Sequence, residues 1–580
     1  MRLWSGVQMG GRVLILAGLT LTAVWPSKAA EGPVEMRGVW MHAAKAKTPE
    51  EADALLDLAA QAHLNAVYLL VFYWGGHAYY HSDLAPFPQE VDPAFDPLAY
   101  MVRGAHERGM ELHAWFVNGA YGRNEPGPIF AEHPNWAIRS ALGQPRLWFD
   151  FGKPEVREFQ RDLMLEVLRK YEVDGIHFDY IRYPGRGYCY CDYCLAEFRR
   201  RYGVDATQIA AQTLPTVAWL SGNPLVRPTT AQVLAQFEDG TPALLLNELG
   251  QGKVFLFNFH AEHRPLPVCT HILKNVLKAF SRPETTVRLW RSEYNAANYR
   301  YFGYEENLRW LRAIGVEPQP IADEELSQLE PKEVLLVPNV YRLTVESTEA
   351  LRSFVKAGGR AIFIDGPVHA MDNPTMQELT GMAGVGEYFA GERIITPVGE
   401  SPLVPCSEEA VNLTKFRRTR AQWDEFRRET VTLLVRDVYR RAKEIKPAAW
   451  VSAAVFYNRA AADGVLQDWY GWLEEGCIDY VIPMAYLNDN RRLEEALREW
   501  KEADPTLTRI VPGLSIFKRT PEGTTTKPTE QVLSQIALCR EWGAQGMVLF
   551  SIHSLTSELQ EALAQGPFAA RATPYHPPPR

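Results

Sequence analysis

The chain has 580 residues, of which 46% are hydrophobic and 23% charged, ordinary globular proportions that argue against a disordered or coiled-coil protein. Its formal net charge of -9, with a pI near 5.9, argues against a nucleic-acid partner. This length accommodates two or more domains, and an aromatic content of 11% supplies flat faces that fill cores or stack on sugar rings.

The first residues read as an export signal, residues 1–29. Arg2 and Arg12 bring positive charge, Val13 to Trp25 is a charge-free apolar run, and Ser27-Lys28-Ala29 offers small residues at a cleavage point. That run is shorter than the about 20 residues a membrane span needs, and no later segment is apolar enough to cross. The expected mature protein is secreted or periplasmic, cut near Ala29.

From Glu35 a unit repeats. MRGVWMHAA is a strand, and TPEEADALLDLAAQAH is a helix with Thr48 as N-cap and Glu51 three residues on. LNAVYLLVFYW, MELHAWFVNGAY and EVDGIHFDYIRYP continue as strands. PLAYMVRGAHERG and VREFQRDLMLEVLRKYE are the helices between them. The repeat stops after CLAEFRRRYGVD and resumes at Trp423. It then gives the strands AAWVSAAVFYN, IDYVIPMAYL, RIVPGLSIF and GMVLFSIHSL, separated by three further helices. Four strands before the break and four after make eight, the number that closes a (β/α)8 TIM-like barrel. The fold class is therefore α/β, a barrel split between residues 33–205 and 423–565 and interrupted after its fourth strand. Residues 206–422 read as an inserted α/β domain resembling the class-I-glutamine-amidotransferase type. It has a hairpin at Gly250-Gln251-Gly252 and lacks a G-x-C-x-G nucleophile elbow. Asp365, at a strand end there, reads as a loop residue, and the domain offers a surface for homo-oligomer formation. Residues 566–580 are Pro-rich and read as a disordered tail.

Seven cysteines leave at least one thiol unpaired. Cys189, Cys191 and Cys194 follow the fourth strand as C-x-C-x-x-C, which has metal-ligand spacing but supplies only three thiolates. A structural zinc completed by Cys269, His260 or His263, a short-range disulfide, and plain loop thiols are the readings open here.

The motifs MRGVW, AWFVNGAY, DGIHFDYIRYP, QDWYGWLEEGCIDYVIPMAY and MVLFS resemble, together and in order, the family-10-like glycosyl hydrolases, exported bacterial barrel proteins. The resemblance covers both barrel pieces and omits the insert. It implies a TIM-like barrel cleaving a poly- or oligosaccharide, without naming the sugar. A fainter likeness to family 18 chitinases fails at the decisive position. Asp174 and Asp179 match their D-x-x-D-x-D-x-E strand, but His177 replaces the middle Asp, Ile181 replaces the acid Glu, and Leu487 replaces the Asp of M-x-Y-D.

Glycosidic cleavage generally uses two carboxyl groups flanking the bond. Asp179, at the C-terminal end of the fourth strand where barrel enzymes carry their chemistry, is the first candidate. Asp468, after the fifth strand, is the second, and a helix N-cap is its equally weighted alternative. Glu125 and Asp489 are weaker candidates, and Asp479 begins its strand at the wrong end of the barrel. His113, Trp115, Asn118, His177, Arg182, Tyr486 and His553 are the expected substrate contacts, with barrel packing as the alternative for each. Ser551, Trp40 and Trp74 fall under the same alternative. Arg182 is also expected to favour the ionised form of Asp179. A carbohydrate-binding barrel without catalysis is the competing function, and the chemistry requires no metal.

Overall fold

In the computed structural model the described residues are 32–578, except 74, 122–125, 142, 210–213, 215, 223–225, 263–265, 299–302, 339–342, 366–372, 385–388, 408–412 and 521–522. The export signal, Trp74, Glu125 and His263 lie outside them.

Eight parallel strands close on themselves: β1 (Met36–His42), β2 (Ala66–Tyr73), β3 (Glu111–Val117), β4 (Gly175–Asp179), β5 (Trp450–Val455), β6 (Tyr480–Ala485), β7 (Gly513–Ser515) and β8 (Gly546–Phe550). Each pairs with the next, and β8 returns to β1 through Met36↔Gly546 to Val39↔Leu549. The helices α1 (Pro49–Gln61), α2 (Pro97–Glu107), α3 (Pro154–Lys170), α4 (Asp192–Tyr202), α5 (Leu413–Ile445), α6 (Trp469–Glu475), α7 (Asn490–Ala503), α8 (Thr529–Glu541) and α9 (Ser557–Gln565) alternate with the strands. Their apolar faces and the outward sides of the strands form one continuous core, so the alternating pattern has a direct cause. Thr48 caps α1 as its sequence predicts, accepting the Glu51 N–H at 3.3 Å.

Inside the barrel, the strand period of two stacks side chains in layers. Gly175, His177 and Asp179 of β4 stand beside His113, Trp115 and Val117 of β3 in strict register. Gly175 has to be glycine, because a Cβ there would lie 2.4 Å from the His113 ring and 2.6 Å from the Trp450 carbonyl. The lower and middle layers are filled by Met36, Trp40, Tyr68, Tyr480 and their neighbours. Depth along β4 thus runs from a packed floor to Asp179 at the top.

Between α4 and α5 a second, nine-stranded sheet is built from strands lying between Thr216 and Pro397. Its half from Gly252–Phe257 to Gln319–Ile321 is parallel. The other half, from Pro242–Leu249 to Thr216–Gly222, is antiparallel. Two hydrophobic clusters cover its faces. α5, expected to begin at Trp423, begins at Leu413, because the Arg/Lys-rich turns ahead of Trp423 continue the same helix.

The tail departs from its expectation of disorder. Phe568 is fully buried, Arg37 donates to the carbonyls of Phe568 (3.3 Å) and Ala570 (2.6 Å), and His576 stacks on Trp450 at 4.1 Å. Proline content blocks helix and sheet ladders but does not prevent an extended segment from docking by its carbonyls and rings.

Candidate functional site

Asp179 ends β4 and is 5% exposed. Its Oδ2 accepts the Trp115 indole N–H at 3.2 Å and its Oδ1 accepts the Tyr180 backbone N–H at 2.6 Å. Tyr180 holds a left-handed φ of 50°, which turns the chain sharply at the strand's end. Burial pushes the Asp179 carboxyl up to about 6; Arg182 and the two N–H donors pull the other way and do not prevail. The expectation that Arg182 favours the ionised carboxylate holds in sign, but burial outweighs it. Arg182 is itself buried, its guanidinium over the rings of Tyr180 (4.4 Å) and Phe456 (4.8 Å).

Above the Trp115 level the mouth is aromatic. Trp115 lies 5.6 Å from His42, whose ring is 5.1 Å from His553. Tyr486 stacks on Phe550 at 5.1 Å, and Phe517 flanks both. The His42 backbone N–H donates to His553 Nε2 at 3.3 Å. Burial, then the neighbouring His553 and Lys45, hold His42 down at about 4, and His553 is lowered also, so both rings are neutral near pH 7. Neutral imidazoles and aromatic faces suit hydroxyl-rich, uncharged ligands.

Of the expected contacts, Trp115, Tyr486 and His553 gather at this mouth with Asp179. Three others do not. His113 is fully buried in the lowest layer, stacked on Tyr68 at 4.7 Å and bonded to Glu111 at 3.3 Å. His177, also fully buried, sits in the middle layer between the Trp40 indole N–H (3.2 Å) and Ser452 Oγ (2.8 Å), with its ionisation strongly suppressed by burial. Sharing a strand face with Asp179 gave direction but not depth. Asn118 faces outward to Gln160 of α3. With its amide turned so that nitrogen points inward, it donates to the carbonyls of Phe116 (3.1 Å) and Asp179 (3.3 Å) and steadies the strand ends. Asp468 caps its own helix α6 by accepting the Gly471 N–H at 3.2 Å. Asp489 caps α7 in the same way, and Asp479 binds the Val451 N–H at the opposite end of the barrel. Sequence reasoning missed His42, Tyr73, Phe517 and Phe550, although each stands at or just beyond a barrel strand's C-terminal end.

Beside the mouth, Asp150, Cys189, Cys191 and Cys194 are all buried, with one ligand atom from each lying within 4.8 Å of the others. This donor set can hold a metal ion. Among the described residues the fourth member is Asp150, not Cys269 or His260, and His263 lies outside those residues.

A closed parallel barrel with a buried carboxyl and an aromatic mouth at its C-terminal face defines a TIM-barrel protein with its ligand site at that face. The sequence pattern of one family, described as glycosyl hydrolase-like 10, matches residues 35–223 and 401–529, together more than half of the chain. The protein belongs to this glycosyl hydrolase-like 10 family. Similar curated proteins include glycosyl hydrolase YngK of Bacillus subtilis (30% identity, 28% of this chain, 31% of that protein) and glycosyl hydrolase DigH of Escherichia coli K12 (34%, 18% and 27%). The matched region spans about a third or less of the length of these relatives. Among solved structures, the PgaB (BpsB) glycoside hydrolase domain of Bordetella bronchiseptica aligns over 92% of this chain and 98% of that one, at 10% identity and a TM-score of 0.45.

Proposed function

We propose that the protein is an exported glycoside hydrolase in which Asp179 protonates the leaving glycosidic oxygen. The observation that carries this reading is a carboxyl raised to about 6 at the mouth of the barrel, so that a proton is available near neutral pH. Trp115 aims and steadies the carboxyl through its indole N–H. The rings of Trp115, Tyr486, Phe517 and Phe550 offer stacking faces for a sugar chain, and His42 and His553 offer neutral donors and acceptors to its hydroxyls. Export rests on the charged and apolar pattern before Ala29. The sheet between Thr216 and Pro397, outside most of the family match, is read as an inserted domain that serves self-association.

The second reading is a carbohydrate-binding barrel without turnover. It is favoured by one observation: Asp468 and Asp489, two of the acids expected beside Asp179, each cap the helix they begin. Reducing-end release from a panel of bacterial and plant polysaccharides, with wild type against Asp179→Asn, separates the two. Turnover that collapses by at least about 100-fold in the near-isosteric variant supports the hydrolase, since general acid catalysis contributes about 10²–10⁴-fold. Turnover surviving the substitution removes Asp179 from the chemistry. Sugar binding at the same affinity in both proteins, without turnover, establishes the binder.

A further inference from the structure

We propose that Asp150, Cys189, Cys191 and Cys194 form a tetrahedral S3O site for a zinc-class divalent cation, which clamps the loop leaving β4 to the hairpin before α3. The four donors come from three separate places: the turn after the strand Pro145–Phe149, the loop after β4, and the first turn of α4. The sulfurs of Cys189 and Cys191 lie 3.1 and 3.0 Å from Asp150 Oδ2, and that of Cys194 lies 3.6 Å from Oδ1. Donors around a tetrahedral zinc, with about 2.3 Å to sulfur and about 2.0–2.2 Å to oxygen, stand about 3.5–3.8 Å apart, so a small expansion of this cluster admits the ion. All seven cysteines are unpaired, so no disulfide competes for the three thiols.

The surroundings are those of metal-bound thiolates. Cys189 Sγ accepts the Arg139 backbone N–H at 3.3 Å, and Cys191 Sγ accepts the Cys194 N–H at 3.4 Å while capping α4, whose dipole favours negative charge there. Asp150 Oδ1 accepts the Gly152 N–H at 3.1 Å. Backbone donors of this kind orient anionic ligands from behind. Gly152 leaves the room required, since a Cβ at that position would lie 2.2 Å from Cys194 Sγ. The nearby Lys153 ammonium acts on Asp150 from a position in which it donates to the Asn135 carbonyl. One divalent ion in their midst would turn these four buried acidic groups into its ligands. A majority of soft thiolates selects zinc-class ions over magnesium or calcium, which require oxygen shells.

The ion would act on the mouth by position. The hairpin it anchors carries Trp148, whose indole N–H donates to the Arg182 carbonyl at 2.9 Å and whose ring lies 5.7 Å from Tyr180, the residue after Asp179. Tyr190 N–H donates to the Arg139 carbonyl at 2.9 Å, tying the same two loops together.

This proposal stands independently of the hydrolase reading, because its readout is metal content. The full-length protein, purified without a metal-affinity step and loaded with zinc chloride, should retain about one zinc per chain through dialysis, measured by elemental mass spectrometry. Loading with cobalt chloride instead should produce thiolate-to-cobalt charge transfer and the intense visible bands of a tetrahedral site. Cys191→Ser should lose the bound equivalent while Cys477→Ser keeps it. Asp150→His, which preserves a four-donor set, should bind about one zinc, and this covers the case in which the serine variant does not fold. A folded wild-type chain that retains no zinc after loading overturns the proposal, as does zinc bound equally well by Cys191→Ser.

Discussion

Asp179 is held where its ionised form is disfavoured, and that has consequences for both activity and stability. As general acid it works protonated, so activity should fall on the alkaline side with a midpoint near 6. Arg182→Met removes the cation that opposes burial, and the alkaline limb should move to higher pH in the pH profile of kcat/KM. A limb that stays in place would show that Asp179 does not set it. The stability effect has the opposite sign to that of a salt-bridged acid. The folded-state value lies above the usual 3.8, so stability is full below about pH 4 and is lost as pH rises to about 6. Two units correspond to roughly 3 kcal/mol as an upper bound. Asp179→Asn should therefore raise the melting temperature at pH 7 and leave it nearly unchanged at pH 4, while abolishing turnover. Equal loss of stability at both pH values would mean that Asp179 serves the fold rather than the reaction.

At the scale of single elements, the barrel was legible because its strands and helices differ in period, and because eight repeats satisfy closure whatever lies between them. The end of β4 was legible for the same reason, since a carboxylate at a strand's mouth stands out against an apolar run. Depth within the barrel was not, because it depends on register between strands distant in sequence. His113 and His177 lie on the same faces as Trp115 and Asp179, yet belong to layers below them. Asp150 was invisible beside the three cysteines because its proximity is created by folding of the hairpin before α3. The capping role of Asp468 was readable only as one of two alternatives, and a substitution series tests it. Asp468→Ala should cost about 1 kcal/mol of stability, Asp468→Asn almost nothing, and turnover per folded molecule should survive in both. A large loss of kcat in the asparagine variant would return Asp468 to the chemistry. Gly175→Ala, which drives a methyl group into the His113 ring and the Trp450 carbonyl, should destabilise by about 1–3 kcal/mol on chemical denaturation. No change there would mean that the layers yield more than close packing suggests.

For the molecule as a whole, the two ends of the described chain meet beneath the barrel. Glu35 N–H donates to the Thr573 carbonyl at 2.9 Å, and Asn65 donates to the Ala572 carbonyl at 3.0 Å. Buried Arg37 is shared between Glu35 (2.7 Å) and the tail carbonyls, while Arg540 binds Glu35 (2.7 Å) and the Pro567 carbonyl (2.7 Å). His576 reaches Glu111 at 2.8 Å under the lowest layer of side chains. Glu111 is pulled down to about 2, its bonds to His113 and His576 outweighing a burial that pushes the other way. The tail therefore acts as a base plate that lets cationic Arg37 remain desolvated next to Phe568. Ending the chain at residue 565 strips Arg37 of two carbonyl acceptors and removes a fully buried ring, a loss of the same order as a buried Phe→Ala change, about 3–5 kcal/mol. Thermal unfolding should shift down by several degrees, and Phe568→Ala alone should show a large part of that shift. Turnover at 25 °C per folded molecule should be nearly unchanged, because Asp179 and its aromatic surroundings occupy the opposite end of the strands. An unaltered melting temperature in both variants would show that the barrel floor is sealed without the tail.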